Sequence, residues 1–335
     1  MKFFLSLALL ISSSISYAQS IQGIVLAAGR STRFATDYSK QSTPMCGLPL
    51  VLYPISLLTS LDIPTTVVLG YKKEEIQALI EDAQLKDVTF AYQEKQQGTG
   101  HALHCCESSW QADHLLVLNG DMPLINRDIV QDLITKHIEA DAAISIVISY
   151  NTDPACTYGR IVQEENAIKV VEIKHFTGSR EQHPYVNAGI YIIKKEFAAH
   201  YLPQVPLNPV TKEYYITDLV QLASDNNLTV CTSVAPYEAL NGVNSLKELA
   251  IAHTIKRTQL IEQFMKTGVR FEMPETIGLD IDVTIGKNSV IGAGVQLING
   301  THIGNNCTIG AHCVLDGAII PDNSVIKPLT YIAAQ

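Results

Sequence analysis

The chain has 335 residues, of which 47% are hydrophobic and 17% charged, so it is long enough for two domains and too apolar for a disordered protein. Its net charge of −9 disfavours a nucleic acid or an anionic membrane surface as a partner, and any polyanionic ligand must be held by local cations. The seven cysteines are odd in number and contain no CxxC pair, which disfavours a disulfide framework or a zinc site and favours a reducing compartment.

Residues 1–20 have the pattern of a secretory signal peptide. Lys2 precedes an apolar run, and Ser16 and Ala18 are the small residues that signal peptidase requires for cleavage after position 18. The stretch is too short for a membrane span. The alternative is a wrongly assigned start or an inert extension, although the next methionine, Met45, lies well into the chain.

The next part of the chain alternates short apolar runs with helical patterns, which is typical of a mostly parallel, three-layer α/β sheet. The apolar runs are nearly continuous, as in buried parallel strands. We predict strands at 21–28, 65–69, 88–92, 115–118 and 144–149, and helices at 73–83 and 128–139. Ligands of such sheets bind beyond the carboxyl ends of the strands, so we expect functional residues in the loops that follow each strand.

A single long helix is predicted to connect two domains. Ser245 and Glu248 have the spacing of a capping box at a helix start, and Gly268 is a typical stop signal. The predicted division of the chain is a leader at 1–20, an α/β domain at 21–244, the helix at 245–268 and a repeat domain at 269–335.

The repeat domain has a period of six residues. The aliphatic residues that define this period are Leu279, Ile285, Ile291, Leu297, Ile303, Ile309 and Leu315. The pattern is typical of a parallel β-helix, in which each aliphatic side chain points into a triangular core. A period of six does not keep to one face of an α-helix. If three hexapeptides make one turn, the domain contains about three coils.

The first motif follows the first predicted strand, at residues 26–34 (LAAGRSTRF). Small side chains after a strand let backbone N–H groups approach a phosphate chain closely. Arg33 can bind phosphate oxygens with two hydrogen bonds, and Lys40 adds a second cation just downstream. The spacing of a Walker A loop is absent. A small-residue turn alone would more often be a tight turn without a binding role. Together with the two cations, the motif predicts a phosphate-binding loop.

Eight segments, in order along the chain, resemble the bacterial N-acetylglucosamine-1-phosphate uridyltransferases, which are GlmU-like sugar-nucleotide pyrophosphorylases. They are LAAGRSTRF at 26–34, QEKQQGTGHA at 93–102, NGDMPL at 119–124, YGRI at 158–161, VE at 171–172, VNAGI at 186–190, EYYITD at 213–218 and GVN at 242–244. The resemblance implies a Rossmann-like nucleotidyltransferase domain followed by a short left-handed parallel β-helix. It also implies uridylyl transfer from UTP to N-acetylglucosamine 1-phosphate, with Mg²⁺ as cofactor, in a homotrimer.

The resemblance assigns Asp121 and Asn244 as protein ligands of Mg²⁺, and Arg33 and Lys40 as catalytic cations. The substrate-binding residues that it implies are Leu26, Ala27, Ala28, Gly29, Gln93, Gln96, Gly98, Thr99, Asn119, Gly120, Gly159, Glu172, Asn187 and Asn244. The attacking sugar phosphate is already anionic, so the reaction needs no general base. The protein must instead position two polyanions and absorb their charge, a task for which Mg²⁺ is suited.

Each of these residues also has a structural interpretation. Asp121 would be read as a turn-capping aspartate if its motif stood alone. Gln93 can donate and accept hydrogen bonds at the uracil edge, but its segment alone reads as a polar loop. Glu172 and Asn187 suit sugar hydroxyls and an acetamido group, with a solvated glutamate and a strand-end asparagine as the alternatives. His101 receives no role from the sequence and is expected to be structural.

Some positions depart from the family pattern. They are Ser31 for a glycine, Gln41, Ser42 and Thr43 where apolar residues are usual, Asn119 where tyrosine is common, and Ala188 for a frequent threonine. These changes bear on affinity or sugar choice more than on reaction class. The largest departure is at the C-terminus, because bifunctional members continue with a longer β-helix that carries an acetyltransferase site. We therefore expect no acetyltransferase activity.

Two alternative functions stay open. The first is a pyrophosphorylase for another sugar 1-phosphate or another nucleotide. The second is a non-catalytic, exported paralogue that binds sugars or envelope components; the leader supports it, whereas retention of the predicted catalytic and metal-binding residues opposes it. Because an enzyme that consumes UTP needs cytoplasmic UTP, we expect a cytoplasmic protein, with export as the alternative.

Overall fold

A computed structural model of the chain describes residues 19–30, 34, 38–164 and 167–334. Most of the predicted leader, and Arg33, lie outside the described residues. The described part forms an α/β domain, a long helix and a parallel β-helix, which confirms the predicted fold class. Within these ranges, no helix has the length and apolar character that a bilayer crossing demands.

The α/β domain is built around one twisted sheet. The strands of this sheet are β1 (Ile21–Ala27), β4 (Thr65–Leu69), β5 (Val88–Tyr92), β6 (His114–Asn119), β7 (Ile144–Tyr150), β8 (Arg160–Glu164), β9 (Ala167–Val171), β10 (Tyr185–Lys194) and β11 (Val230–Val234), and β2 (Pro44–Met45) and β3 (Leu48–Pro49) form a separate hairpin. The helices of the domain are α1 (Leu52–Ser60), α2 (Lys73–Asp82), α3 (Thr99–Cys105), α4 (Arg127–Glu139), α5 (Lys195–Tyr201) and α6 (Asp218–Asp225). Short 3-10 turns lie at Lys40–Ser42, Glu107–Ser109, Ile173–His175, Leu202–Gln204 and Tyr237–Leu240.

The main sheet has the strand order β11-β7-β10-β6-β1-β4-β5, and the β8–β9 hairpin pairs with β10. Strands β6, β1, β4 and β5 are parallel to their neighbours in this series, as their continuous apolar runs predict. Strand β10 is antiparallel to both β6 and β7 and lies between them. We did not predict β10 or the hairpin, because no local sequence pattern encodes the long-range pairing that inserts a reversed strand into a parallel sheet.

Alternate side chains of the sheet enter two hydrophobic cores. On one face, Ile24 and Leu26 belong to the core that α3, α5 and α6 cover; on the other, Val25 and Ala27 belong to the core that α1, α2 and α4 cover. This alternation follows from the two-residue repeat of a strand. Burial on both faces explains the continuous apolar runs, and it leaves the carboxyl edge of the sheet as the place where polar loops meet.

The connecting helix is α7 (Leu246–Lys266), close to the predicted range. The Ser245 Oγ accepts a hydrogen bond from the Glu248 N–H at 3.2 Å, which confirms the predicted cap. In a capping box the glutamate accepts a hydrogen bond from the N–H of the capping residue, here Ser245. In this protein the Glu248 Oε2 accepts instead from the N–H of Asn244, one residue earlier, at 2.7 Å. The helix ends before Gly268, whose φ of +93° lies in the region that favours glycine.

The C-terminal β-helix contains eleven short strands in three parallel sheets. They are β12 (Arg270–Phe271), β13 (Gly278–Leu279), β14 (Thr284–Ile285), β15 (Val290–Ile291), β16 (Gln296–Ile298), β17 (His302–Ile303), β18 (Thr308–Ile309), β19 (Val314–Asp316), β20 (Ile319–Ile320), β21 (Val325–Ile326) and β22 (Tyr331–Ala333). A 3-10 turn at Pro274–Thr276 lies between β12 and β13.

The β-helix lies within the predicted range, but it contains slightly more coils than the strict period of six predicts. Eleven strands at three per coil make more than three coils, whereas the aliphatic pattern indicated about three. Ile285 pairs with Ile303, 18 residues on, but Ile303 pairs with Ile320, only 17 residues on. The last coil is therefore one residue shorter, and its core residues fall out of step with the repeat. The first coil begins at Phe271, an aromatic residue that the aliphatic pattern did not include.

The β2–β3 hairpin joins the α/β domain to the β-helix. The N–H of Ile281 donates a hydrogen bond to the Cys46 carbonyl at 2.9 Å, and the Cys46 side chain belongs to the β-helix core. Gly47 lies so close to the β-helix that an added Cβ would come within 2.6 Å of the Asp280 carboxyl carbon. Since this hairpin follows Lys40 closely in the chain, the β-helix packs against the element next to a predicted catalytic residue.

Candidate active site

A cavity of about 490 Å³ opens at the carboxyl edge of the sheet. Its lining residues are Leu26, Ala28, Gly29, Arg30, Lys40, Gln41, Gln93, Gln96, Gly98, Thr99, Ala102, Asn119, Asp121, Glu213, Tyr215 and Asn244. They come from the carboxyl ends of β1 and β6, the loops that follow β1, β5 and β6, the Lys40–Ser42 turn, the helix α3, and the segments that precede α6 and α7. The position is the one expected for a ligand of an α/β sheet, and the volume is in the range of small-molecule sites.

The loop after β1 forms the wall of small residues. Of the four residues predicted there to bind substrate, Leu26, Ala28 and Gly29 line the cavity, whereas the Ala27 side chain lies in the opposite core. Gly120 is not part of the lining; its N–H donates to the Leu26 carbonyl at 2.9 Å and so holds the β1 and β6 loops together. This wall lets a ligand approach the backbone closely.

Two basic residues contribute to the described lining. Arg30 is exposed, and its guanidinium carbon is 5.9 Å from the centre of the Tyr71 ring. Lys40 lies deeper, and its side chain is only 6% exposed. Arg33, the other predicted catalytic cation, lies outside the described residues, so its placement stays a prediction.

The ammonium of Lys40 lies between the two predicted metal ligands. Its Nζ is 2.5 Å from Asp121 Oδ2 and 3.2 Å from Asn244 Oδ1. The backbone reinforces this arrangement, because the Asp121 carbonyl accepts a hydrogen bond from the N–H of Val243 at 2.9 Å. The β6 loop, the loop before α7 and the Lys40–Ser42 turn thus converge on one point.

This arrangement is compatible with a divalent cation bound between Asp121 and Asn244, where the Lys40 ammonium now lies. Two oxygens that both bind one Nζ point at a common position, which is what a bound cation requires. Among the residues described, no group of three His, Cys, Asp or Glu side chains could hold a metal. A metal at Asp121 and Asn244 would therefore need substrate and water oxygens for its other positions, as Mg²⁺ usually does in phosphate-transfer sites.

Gln41 adds a second observation at this wall. Its Oε1 is buried and has no hydrogen-bond partner among the described residues, although Gln41 lines the cavity. A buried acceptor without a partner is costly, and a bound ligand or water would satisfy it. The sequence marked Gln41 only as a departure from an apolar pattern.

Gln93 is held rigidly at the other end of the cavity. It is 3% exposed, and its Nε2 lies 3.0 Å from the Gly98 carbonyl oxygen and 2.9 Å from His101 Nδ1. Gln96 caps the same loop, since its Nε2 donates to the Gln93 carbonyl at 3.0 Å. The predicted base-reading residues are thus brought together.

The segment at residues 213–218 supports this loop. Gly98 has a φ of +95°, and an added Cβ would lie 2.5 Å from the Tyr214 carbonyl oxygen, so only glycine fits there. The Thr99 hydroxyl accepts a hydrogen bond from the N–H of Ile216 at 3.1 Å. The segment therefore serves the site, a role that we did not assign to it, and its Glu213 and Tyr215 line the cavity.

The predicted sugar-binding residues lie together, but they do not line the large cavity. The Asn187 N–H donates to the Gly159 carbonyl at 2.9 Å, and an added Cβ on Gly159 would be 3.7 Å from the Glu172 Cα. The Asn187 side chain is engaged, because its Nδ2 donates to the Tyr191 hydroxyl at 2.7 Å and its Oδ1 accepts from the Gly189 N–H at 3.2 Å. It thereby stabilises the irregular pairing of β10 with β7. A sugar would have to compete with these bonds.

Two desolvated carboxyl groups meet in this region. Burial raises the pKa of Glu172, with Lys174 and His175 opposing the shift. Burial, and then the nearby charge of Glu172, raises the pKa of Asp218 to about 6. Carboxylates in such surroundings are stabilised by hydrogen-bond donors, which sugar hydroxyls would supply.

A smaller cavity of about 200 Å³ adjoins the large one and shares Asn119, Asp121 and Asn244 with it. Its other lining residues are Met122, Tyr158, Ala188, Leu240 and Gly242. Asn119 and Ala188, two of the positions that depart from the family pattern, therefore lie next to the candidate metal site rather than at a distant surface.

The chain matches two family models. Residues 23–188 match the MobA-like NTP transferase domain, and residues 282–317 match the bacterial transferase hexapeptide with six repeats. The first range contains β1, β5 and β6, whose loops line the large cavity, and the second lies within the β-helix.

Curated relatives match most of the chain. The bifunctional protein GlmU of Syntrophotalea carbinolica is 33% identical over 314 residues, which cover 92% of this chain and 67% of that protein. The bifunctional protein GlmU of Exiguobacterium sibiricum is 32% identical, covering 91% of this chain and 68% of that protein. The one of Geotalea daltonii is 30% identical, covering 85% of this chain and 63% of its own length. The chain thus spans between 63% and 68% of the length of these relatives, which is about two thirds.

Among solved structures, the chain is similar to a putative glucose-1-phosphate thymidylyltransferase from Bacillus anthracis in complex with a sucrose. The TM-score is 0.58, and the match covers 71% of this chain and 96% of that one. The sequences are 19% identical, so this likeness supports the fold alone.

Proposed function

Because this chain belongs to the GlmU-like family of nucleotidyltransferases with hexapeptide repeats, we propose that it transfers the uridylyl group of UTP to N-acetylglucosamine 1-phosphate. The products are UDP-N-acetylglucosamine and pyrophosphate. The observation that carries the proposal is the convergence of Lys40, Asp121 and Asn244 on one point in the wall of the large cavity.

The proposed reaction depends on positioning and charge. An oxygen of the sugar phosphate attacks the α-phosphorus of UTP, a P–O bond forms, and the bond to pyrophosphate breaks. The nucleophile is already anionic, so no side chain has to remove a proton. The protein must bring two polyanions together although its own net charge is −9, and local cations have to do this.

Lys40 is the described cation best placed for this task. Its Nζ is held by Asp121 beside the wall of small residues, where it can donate hydrogen bonds to phosphate oxygens. Asp121 and Asn244 would hold Mg²⁺, which when bound neutralises phosphate charge and polarises the phosphoryl group. The backbone after β1, from Ala28 to Gly29, would accommodate the triphosphate.

The two ends of the large cavity would take the two substrates. We assign the uracil to the end formed by Gln93, Gly98 and Thr99. We assign the sugar to the side lined by Asn119, whose Nδ2 donates to the carbonyl of Gly189; the N–H of Gly189 in turn donates to Asn187. The desolvated carboxyl groups of Glu172 and Asp218 would favour a ligand rich in hydroxyl donors.

We also propose that the β-helix assembles the protein as a homotrimer. The outward-facing residues of the last coil are apolar and exposed, with Ile319 at 72%, Val325 at 74% and Tyr331 at 65% exposure. The equivalent positions one coil earlier include His302 and Thr308. Packing of β-helices side by side would remove apolar surface of this kind from water.

A substrate panel tests the proposed reaction. Pyrophosphate release is measured with the full chain, Mg²⁺, each of four nucleoside triphosphates, and either N-acetylglucosamine 1-phosphate or glucose 1-phosphate. We expect the highest kcat/KM with UTP and N-acetylglucosamine 1-phosphate. Preference for another sugar would change the substrate but keep the reaction class. Absence of turnover with every pair would favour the non-catalytic alternative.

A further inference from the structure

His101 and Gln93 are linked at the base end of the large cavity. His101 lies in the first turn of α3, and its Nδ1 is 2.9 Å from the Gln93 Nε2. The same Nε2 is 3.0 Å from the carbonyl oxygen of Gly98. No other hydrogen bond of the Gln93 side chain is present among the described residues. Gln93 is almost fully buried and lines the cavity, so its orientation decides what the cavity offers at this point.

The chemistry of the two partners fixes the orientation of the amide. A backbone carbonyl oxygen can only accept a hydrogen bond, so the Gln93 atom beside Gly98 must be the nitrogen and not the oxygen. The second hydrogen of that nitrogen points to His101 Nδ1, which accepts it. Both amide hydrogens are then engaged. Oε1, which is an acceptor only, is the Gln93 atom that remains for a ligand.

His101 can accept only when its ring is neutral, with the proton on Nε2. Burial lowers its pKa, the nearby His104 lowers it further, and a backbone hydrogen bond to Lys95 opposes the shift. Cys105, with its thiol 3.8 Å from Nδ1, and Tyr214, with its ring centre 6.5 Å away, are the other titratable groups that face the ring. A neutral ring is therefore favoured at neutral pH.

We propose that His101 is a positioning residue that makes the site select uracil over cytosine. Uracil presents an N–H at ring position 3, which can donate to the Gln93 Oε1, whereas cytosine presents a lone pair there and would face that oxygen acceptor to acceptor. A site built to hydrogen-bond one such edge rejects the other through the unpaired polar groups that it would leave. The proposal rests on the proposed function in one respect, because it takes the base to lie at the Gln93 end of the cavity.

The sequence indicated a structural role for His101, and the hydrogen bond to Gln93 is the reason for a different assignment. A purely structural histidine would affect stability without affecting the choice of base. A positioning histidine would affect the choice of base more than the turnover of the sugar phosphate.

The test compares His101→Phe with the matched variant His104→Phe in the full chain. Phenylalanine keeps a ring at position 101 but cannot accept the Gln93 hydrogen. His104 lies one turn along the same helix, is about half exposed and pairs with Glu107 instead. Binding of UTP and of CTP, each with Mg²⁺, is measured by titration calorimetry. We expect the ratio of the two affinities to fall about tenfold in His101→Phe, the effect of one hydrogen bond, and to stay unchanged in His104→Phe.

Several results would overturn the proposal. They are an unchanged affinity ratio in folded His101→Phe, a wild-type protein that binds UTP and CTP equally, and the absence of nucleotide binding. If His101→Phe does not fold, ¹⁵N spectroscopy of the wild-type ring decides, since a proton on Nδ1 at neutral pH would contradict the accepting role and a proton on Nε2 would support it. Preference for UTP without turnover would refute the proposed function alone. Turnover with an unchanged preference in His101→Phe would refute this inference alone.

Discussion

Lys40 and Asp121 form an ion pair of 2.5 Å in the wall of the large cavity, and their side chains are only 6% and 16% exposed. The same ammonium lies 3.2 Å from Asn244 Oδ1. The predicted catalytic lysine therefore contacts both predicted metal ligands. Its ammonium lies between the Asp121 and Asn244 oxygens, in the position where these two oxygens would bind Mg²⁺. Lysine and metal should compete for Asp121.

Lys40→Met should strengthen the binding of Mn²⁺ to the nucleotide-free protein, because methionine has a similar length but no charge to compete for Asp121. The same variant should lower kcat/KM by about 100-fold or more, since it removes a donor to the phosphates. Electron paramagnetic resonance measures free Mn²⁺ directly. The control is Lys136→Met, whose ammonium pairs with Asp132 on the surface of α4 and should alter neither quantity. Unchanged Mn²⁺ affinity in Lys40→Met would place the cation site elsewhere.

Gly98→Ala should destabilise the fold by about 1–3 kcal/mol, because the backbone there is left-handed and a Cβ would overlap the Tyr214 carbonyl. Gly29→Ala is the matched control, since no atom of the described residues lies within 4 Å of its added Cβ. Its unfolding free energy should stay within about 0.5 kcal/mol of wild type, while the KM for the nucleotide rises because Gly29 lines the cavity. Urea unfolding and steady-state kinetics separate the two effects. Equal stabilities for the two variants would contradict the close packing of the base loop.

The protein should lose stability as the pH falls below 6.5, because His137 is fully buried. Burial, and then the charges of His114 and Lys194, lower the pKa of His137 from 6.5 to about 3. In the unfolded chain His137 therefore becomes protonated below pH 6.5, whereas in the folded chain it stays neutral down to about pH 3. This group's contribution is complete above 6.5 and declines at lower pH by up to about 1.4 kcal/mol per pH unit.

The variant His137→Gln isolates this effect from other groups, such as Asp218, whose raised pKa acts in the opposite direction. It should be less stable than wild type at pH 7.5, because it loses the hydrogen bonds of His137 to His114 and Ser145. The difference in unfolding free energy should narrow by pH 5. A constant difference between the two pH values would show that His137 does not titrate as described.

Light scattering of the full chain at micromolar concentration should give the mass of a trimer. The motivation is the apolar outer surface of the last coil, and a charged substitution such as Val325→Asp should weaken assembly while leaving the internal core intact. Lys287→Asp, on an earlier turn of the β-helix, is a charge-changing control. A monomeric wild-type protein would contradict the trimer proposal.

Local patterns predicted the parts of the fold that depend on local physics. The continuous apolar runs located β1, β4 and β5, and the spacing of Ser245 and Glu248 located the start of α7. The pattern did not locate β10, whose place depends on pairing with β6 and β7, strands distant from it in the sequence. It also missed the last coil, because a single residue is absent between Leu315 and Ile320 and the period breaks there.

The candidate site was predictable in its parts but not in its connections. The loops after β1, β5 and β6 were expected to carry Gly29, Gln93 and Asp121, and these residues do line one cavity. Contacts between side chains far apart in sequence, such as Lys40 with Asn244, follow only from the three-dimensional fold. The link between His101 and Gln93 was also missed, although both lie in one segment, since the bond depends on the turn at Gly98.

The most direct test of the central claim follows the α-phosphate. UTP labelled in its α-phosphate is incubated with Mg²⁺, N-acetylglucosamine 1-phosphate and the full chain, and the products are separated. We predict that the label appears in UDP-N-acetylglucosamine, with one pyrophosphate released for each molecule formed. We predict no labelled product from folded Asp121→Ala, which lacks the carboxylate that meets Lys40. Unlabelled sugar nucleotide from the wild-type protein, or equal transfer by Asp121→Ala, would contradict uridylyl transfer at this site.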